Sequence, residues 1–130
     1  MKILKIRLKN LNSLKGFWEI EFDKPPLSET GIFAIVGQTG SGKSTILDAI
    51  TLGLFGQTFR LSKQTEFIMT KHTSDCFSEV EFSVNQQKYC SKWSARRARN
   101  KSDGALQPPK MELVDLNVSP EIIIEDKLSE

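Results

Sequence analysis

Gly37-Gln38-Thr39-Gly40-Ser41-Gly42-Lys43-Ser44-Thr45 is the stretch on which the reading of this chain turns. It fits G-x-x-x-x-G-K-[ST], and each fixed position has a physical job. The glycines permit backbone angles that turn successive N–H groups inward around a phosphate. Lys43 supplies a point charge to the β- and γ-phosphates, and the Ser44 hydroxyl is a hard oxygen ligand for Mg²⁺. A helix that follows such a loop aims its positive end at the same anion. The pattern predicts a P-loop in which Gly37, Gln38, Thr39, Gly40, Ser41, Gly42, Lys43, Ser44 and Thr45 hold a nucleoside triphosphate, with Ser44 on its Mg²⁺. The competing reading is a glycine-rich strand-to-helix turn with no ligand.

The flanks favour the P-loop. Gly31-Ile32-Phe33-Ala34-Ile35-Val36 is apolar on both faces, as a central strand covered on both sides should be. After the loop, Ile46, Leu47, Ala49, Ile50 and Leu54 recur at helical spacing, and Gly53 and Gly56 are candidate stops. Further toward the N-terminus, Leu4, Ile6 and Leu8 alternate with Lys5, Arg7 and Lys9. Trp18, Ile20 and Phe22 then alternate with Glu19 and Glu21. With the polar stretch Asn10 to Gly16 between them, these two runs predict an antiparallel pair that Pro25-Pro26 ends.

Toward the C-terminus, residues 57–76 are polar and uneven and read as loop with at most one short element. Val80, Phe82 and Val84 alternate with Glu79, Glu81 and Ser83. Asn85-Gln86-Gln87 is a turn, and Tyr89, Ser91 and Trp93 return as the second strand of a hairpin. A loop over 94–110 precedes a short strand from Met111 to Leu116. A second short strand covers Ile122 to Ile124, and Glu125 onward reads as the start of a helix. There is no internal repeat and no low-complexity tract.

Composition bounds the rest. The chain has 130 residues, of which 38% are apolar and 26% charged, enough to bury a core without disulfides or metals. No apolar run approaches the length of a membrane span, and the charged N-terminus Met1 to Arg7 lacks the apolar stretch of a secretory signal. Cys76 and Cys90 are too few for a disulfide framework and lack zinc-site spacing, so they read as thiols of a reducing cytoplasm. The net charge of +2 conceals an uneven distribution. Residues 1–110 carry 17 basic and 10 acidic side chains, whereas 111–130 hold Lys127 against six acids. A basic body of this kind suggests a polyanionic partner.

Two strings imitate nucleotide-enzyme motifs. Asn100-Lys101-Ser102-Asp103 spells the GTPase base-specificity motif N-K-x-D. It follows Ala95-Arg96-Arg97-Ala98-Arg99 rather than a buried strand, and no D-x-x-G precedes it, so it reads as a decoy. Ile122-Ile123-Ile124-Glu125-Asp126 imitates a Walker B strand. Its three apolar residues, its inverted acid order and Pro120 favour a surface strand instead. His72 has no neighbouring carboxylate or second histidine and reads as a surface residue.

Met1-Lys2-Ile3-Leu4 and Leu8-Lys9-Asn10-Leu11-Asn12-Ser13-Leu14-Lys15-Gly16 closely resemble the N-terminus of the SbcC family. These are the ATPase subunits of the SbcCD nuclease complex and relatives of the SMC proteins. The resemblance continues through the P-loop, Leu47-Asp48-Ala49-Ile50, Ser74-Asp75-Cys76, Glu79-Val80-Glu81-Phe82, and Arg97-Ala98-Arg99-Asn100 with Asp103-Gly104. It covers essentially the whole chain.

The resemblance implies an α/β fold of the P-loop NTPase class. Residues 1–130 would be the N-terminal portion of an ABC-type ATPase head with an antiparallel β subdomain. The Q-loop glutamine, signature motif, true Walker B strand and coiled coil would lie beyond this stretch, making the chain a fragment or an incomplete gene product. The implied cofactors are ATP and Mg²⁺. The implied partners are an SbcD-like metallophosphoesterase nuclease, a second SbcC head joined through ATP, and double-stranded DNA, in the cytoplasm and with no membrane. Asn12 and Ser13 would lie near the nucleotide, and the loop from Thr70 to Asp75 would border the base or ribose. No catalytic residue for hydrolysis is expected within 1–130, so this stretch alone should lack turnover. The readings set against this are a free-standing small P-loop kinase and a non-catalytic DNA-binding remnant.

The basic character concentrates between Lys88 and Lys110, where Lys88, Lys92, Arg96, Arg97, Arg99, Lys101 and Lys110 face Asp103 alone. With Tyr89 and Trp93 interleaved, the strip reads as contact with DNA phosphates, Arg96, Arg97 and Arg99 foremost. The alternative is a solvated hairpin edge whose lysines discourage strand pairing.

Overall fold

A computed structural model describes residues 2–25, 36–37, 43–56, 68–117 and 122–125. Among these residues six strands form one sheet: β1 (Lys2–Leu11), β2 (Leu14–Glu21), β3 (Asp75–Val84), β4 (Gln87–Arg96), β5 (Lys110–Asp115) and β6 (Ile122–Glu125). Their order is β2-β1-β3-β4-β5-β6, with every neighbouring pair antiparallel. Among the described residues one α-helix, α1 (Lys43–Phe55), packs on one face. The apolar strand expected over 31–36 lies outside the described residues except for Val36, and Gln38 to Gly42 of the P-loop also lie outside them.

Alternation along the strands makes two unlike faces. Ile6 and Leu8 on β1, Val80 and Ser78 on β3, and Trp93 on β4 turn inward and are essentially fully buried. They meet Ala49 and Leu52 of α1. Gly53 lies in this seam and does not stop the helix, contrary to the sequence reading. A Cβ there would come within 2.7 Å of Val80 Cγ2, so the glycine lets α1 sit close on β3. Gly56 is the stop. Its φ is 74° and its N–H donates to the Leu52 carbonyl at 2.9 Å, a left-handed C-terminal cap. Leu47 and Phe55, both apolar, point away from the sheet and are 60% and 65% exposed.

The expected pairing of β1 with β2 is present, but the turn is only Asn12-Ser13, shorter than the Asn10-to-Gly16 stretch. Asn10 remains in β1 with φ 53°, at a register shift between Lys9 and Leu11. Its side chain accepts from the Gly16 N–H at 2.7 Å and donates to the Asp75 carbonyl at 2.9 Å. Polar residues thus extend the strand by supplying hydrogen bonds across it. The β3–β4 turn is Asn85-Gln86, with φ values of 51° and 66°, the twist favoured in two-residue hairpins. Both strands run longer than their apolar alternation indicated, β3 starting at Asp75 and β4 continuing to Arg96.

β6 is the edge strand beside β5, with Glu125 opposite Leu113. The surface placement expected of this strand's side chains and the helix expected after Glu125 both fall outside the described residues. Among the described residues no helix is long and apolar enough to cross a membrane.

Candidate nucleotide site

α1 begins at Lys43, immediately after the loop, so its free N–H groups and dipole face the loop mouth. No acidic side chain occupies its first turn to compete with an incoming anion. Lys43 Nζ reaches back across the mouth and donates to the Gly37 carbonyl at 2.5 Å. A charged donor is thereby held at the loop, with a neutral acceptor that a phosphate oxygen would outcompete. Ser44 is exposed at the first turn, whereas Thr45 is buried against the body. Lys43 and Ser44 thus carry, at a helix start, the donor and hydroxyl chemistry that a phosphate and a Mg²⁺ ion would need.

One turn along, Asp48 falls on the buried side of α1 beside Thr45 and Ala49. Asn12 Nδ2 donates to Asp48 Oδ2 at 3.0 Å, which fixes the β1–β2 turn against the P-loop helix. The same asparagine has φ 48°, and its N–H donates to the Ile68 carbonyl at 2.7 Å. Thr70 closes the group. Its N–H donates to the Asn10 carbonyl at 2.9 Å and its hydroxyl to the Asn12 carbonyl at 2.9 Å. Three segments remote in sequence therefore meet beside α1: the Asn12-Ser13 turn, the segment starting at Ile68, and the helix itself. Ser13 is exposed on this turn, and His72 is exposed on the adjoining one with φ 65°.

The tie through Asp48 and Thr70 is what motif reading missed. Asp48 carried a signal, being an acid on the apolar stripe four residues after Ser44. For Thr70 there was no signal of this contact, because it depends on hydrogen bonds to a strand some sixty residues away.

The basic strip is a built structure rather than a slack loop. Past β4, Arg97 bridges to Leu106, and Ala98 N–H donates to the Ala105 carbonyl at 2.8 Å. Gly104 fits tightly, since a Cβ there would meet the Ala98 carbonyl oxygen at 2.3 Å. Arg97 is half-buried and its Nη1 donates to the Gly104 carbonyl at 3.2 Å, so its head group helps hold the loop. Arg96 and Arg99 are partly or fully open to solvent, and Arg99 has φ 59°. Asn100-Lys101-Ser102-Asp103 forms the exposed tip of the loop that follows β4. Cys76 and Cys90 are buried free thiols, and burial pushes them up to about 12 and about 11. Among the described residues no cluster of His, Cys, Asp and Glu could hold a metal.

The AAA domain family profile matches residues 5–129. The SbcC component of the SbcCD nuclease from Pseudomonas aeruginosa is 41% identical across the whole of this chain, which spans 12% of that protein's length. Its counterpart of the same name from Clostridium acetobutylicum is 35% identical over 97% of this chain and 10% of its own length. The "DNA double-strand break repair Rad50 ATPase" of Methanocaldococcus jannaschii is 36% identical over 68% of this chain and 8% of its own.

Proposed function

We propose a function from the premise that the chain belongs to the SbcC family within the AAA domain proteins. It is the ATP-binding part of a DNA repair ATPase. ATP and Mg²⁺ bind at the loop from Gly37 to Thr45, and binding and hydrolysis control a partner nuclease that works on double-strand ends and hairpins. The observation that carries this reading is the start of α1. Lys43 is held on the Gly37 carbonyl, Ser44 is open at the helix start, and the Asn12 turn is bonded to Asp48 one turn below.

Each residue has a part. Lys43 would exchange the Gly37 carbonyl for phosphate oxygens. Ser44 would hold Mg²⁺, which would supply positive charge against the phosphates. Asn12 and Ser13 edge the site. Water activation and closure are supplied by elements other than these 130 residues, namely an acid at the end of a Walker B strand and the signature loop of a second head. The 130 residues alone therefore bind ATP without turning it over. The nuclease partner is a metallophosphoesterase, and duplex DNA lies along Arg96 and Arg99, with Arg97 bracing their loop.

The test is calorimetry of ATP binding to folded protein. Lys43→Ala removes a charge-assisted contact worth about 1.5–3 kcal/mol, a weakening of roughly tenfold to a hundredfold. Equal affinity in wild type and variant sinks the assignment.

A further inference from the structure

We propose that the face of the sheet opposite α1 carries a capture site for unpaired nucleic acid. It centres on a cleft between β3, β4 and the loop leading into β5. The proposal rests on the reading of the protein as one that acts on DNA, and it names a different surface from the nucleotide loop.

The strand register builds the site. Phe17 on β2 lies opposite Lys9 on β1, Lys9 opposite Phe77 on β3, Phe77 opposite Ser94 on β4, and Ser94 opposite Lys110 on β5. One row across five strands therefore reads aromatic, cation, aromatic, hydroxyl, cation. Phe17 is 56% exposed, and its ring centroid lies 6.1 Å from that of Phe77 at a tilt of 55°. Beside this pair opens a cleft of about 270 Å³ lined by Asp75, Phe77, Ser94, Arg96, Asn100 and Lys110 among others.

Charge in the cleft favours an anion. Asp75 is its carboxylate, and Lys9 Nζ holds it at 3.0 Å. Arg96 makes no ion pair or side-chain hydrogen bond among the described residues. Lys110 is largely exposed and only loosely engaged, 3.9 Å from Glu112. Two cations thus remain to meet phosphates, and Arg99 and Lys101 stand on the loop that provides the Asn100 wall.

The geometry selects an unpaired strand over a duplex. Bases in a duplex are stacked on each other and offer a protein surface only edges and phosphates, so the phenylalanines would gain nothing from them. A splayed base presents its π-face to the exposed Phe17 ring, with Phe77 tilted beside it, while the adjoining phosphates meet Arg96 and Lys110, the combination of stacking platform and basic groove used for single strands. At about 270 Å³ the cleft falls just short of the usual range of ligand-pocket volumes, room for part of one nucleotide. Nothing in the row donates to a particular base edge in a fixed pattern, so capture ignores sequence.

The experiment uses full-length protein with ATP and measures anisotropy of a labelled oligothymidylate and of a labelled blunt duplex. Phe17 is exposed, so Phe17→Ala leaves the fold and ATP binding intact. Loss of one stacked base weakens binding by roughly fivefold to a hundredfold. Phe17→Ala is expected to weaken the oligothymidylate by about tenfold within that range while leaving the duplex within about threefold. Arg96→Ala is expected to weaken both. Unchanged oligothymidylate affinity in Phe17→Ala, with the duplex still bound by wild type, overturns the capture site and leaves the DNA reading standing. An equal loss for both probes also overturns it, because stacking would then not be what the row supplies. If wild type binds neither probe, the DNA reading fails and the capture site with it.

Discussion

Asn12 does more than mark a turn. It donates to Asp48 on the P-loop helix, donates its N–H to Ile68, and accepts from Thr70, all with φ 48°. The left-handed angle is tolerated because asparagine is among the residues least strained there. Asp48→Ala removes one acceptor of this group and leaves the Asn12 amide without it inside a part-buried junction. The expected cost is about 1–3 kcal/mol in urea denaturation, with weaker ATP binding by calorimetry because the helix loses its tie to the turn. Asp48→Asn keeps the volume and one oxygen acceptor and should recover much of the loss. If Asp48→Ala binds ATP as wild type does, the junction is structural only. The two thiols belong to a different category. Burial raises Cys76 and Cys90 above the ordinary thiol range, which disfavours their thiolate forms.

The seam between α1 and β3 is set by Gly53, whose absent side chain lets the helix approach Val80 and Ser78. Gly53→Ala gains helix propensity of about 1 kcal/mol but forces a methyl into a 2.7 Å gap, an overpacking cost of typically about 1–3 kcal/mol. Net destabilisation in urea melts is the expected outcome, and a stabilised variant would show that the seam yields. The β3–β4 hairpin gives the opposite sign. Gln86 sits at φ 66° in a position that suits glycine, so Gln86→Gly should raise stability by a few tenths to about 1 kcal/mol. These two elements also explain how much was legible in the sequence. The alternations at Leu4-Ile6-Leu8 and Val80-Phe82-Val84 announce strands because period two is a local property. The P-loop is local as well, and its chemistry reads directly from Gly37 to Ser44. Gly53 misled because a glycine that permits close packing has the same letter as one that ends a helix. The Asn12–Asp48–Thr70 junction and the Phe17-to-Lys110 row stayed hidden, since each exists only once strand register brings distant residues together.

At the scale of the whole molecule, the sheet has a dry face under α1 and an outer face of interlocked charge. Arg7 Nη1 lies 3.1 Å from Glu81 Oε2 and its Nε 3.7 Å from Glu79 Oε2, while Lys5 lies 3.6 Å from Glu21 and 3.7 Å from Glu81. Arg7 Nη2 also lies 3.8 Å from Cys90 Sγ on β4. This lattice spans β2, β1, β3 and β4 and gives the outer face a fixed arrangement. Its centre is Arg7. Glu79 Oε2 is buried with no hydrogen-bond partner, and the Arg7 guanidinium 3.7 Å away faces it. Arg7→Ala leaves Glu79 and Glu81 on the same face of one strand with their nearest cation gone. Breaking a buried pair by removing one partner costs about 3–5 kcal/mol. Arg7 and its partners retain about a fifth of their side-chain exposure, so a discounted loss of about 2 kcal/mol is expected. Arg7→Lys keeps the charge but loses the planar fork, and should fall between the two. The decisive measurement is a double-mutant cycle in urea. In the Arg7→Ala background, Glu79→Gln removes the charge that was left unpaired, so it should recover stability, whereas in the wild type it should lower it. Simple additivity of the two substitutions would mean that the outer face is a set of independent surface charges, and its rigidity would then have to come from the backbone ladder alone.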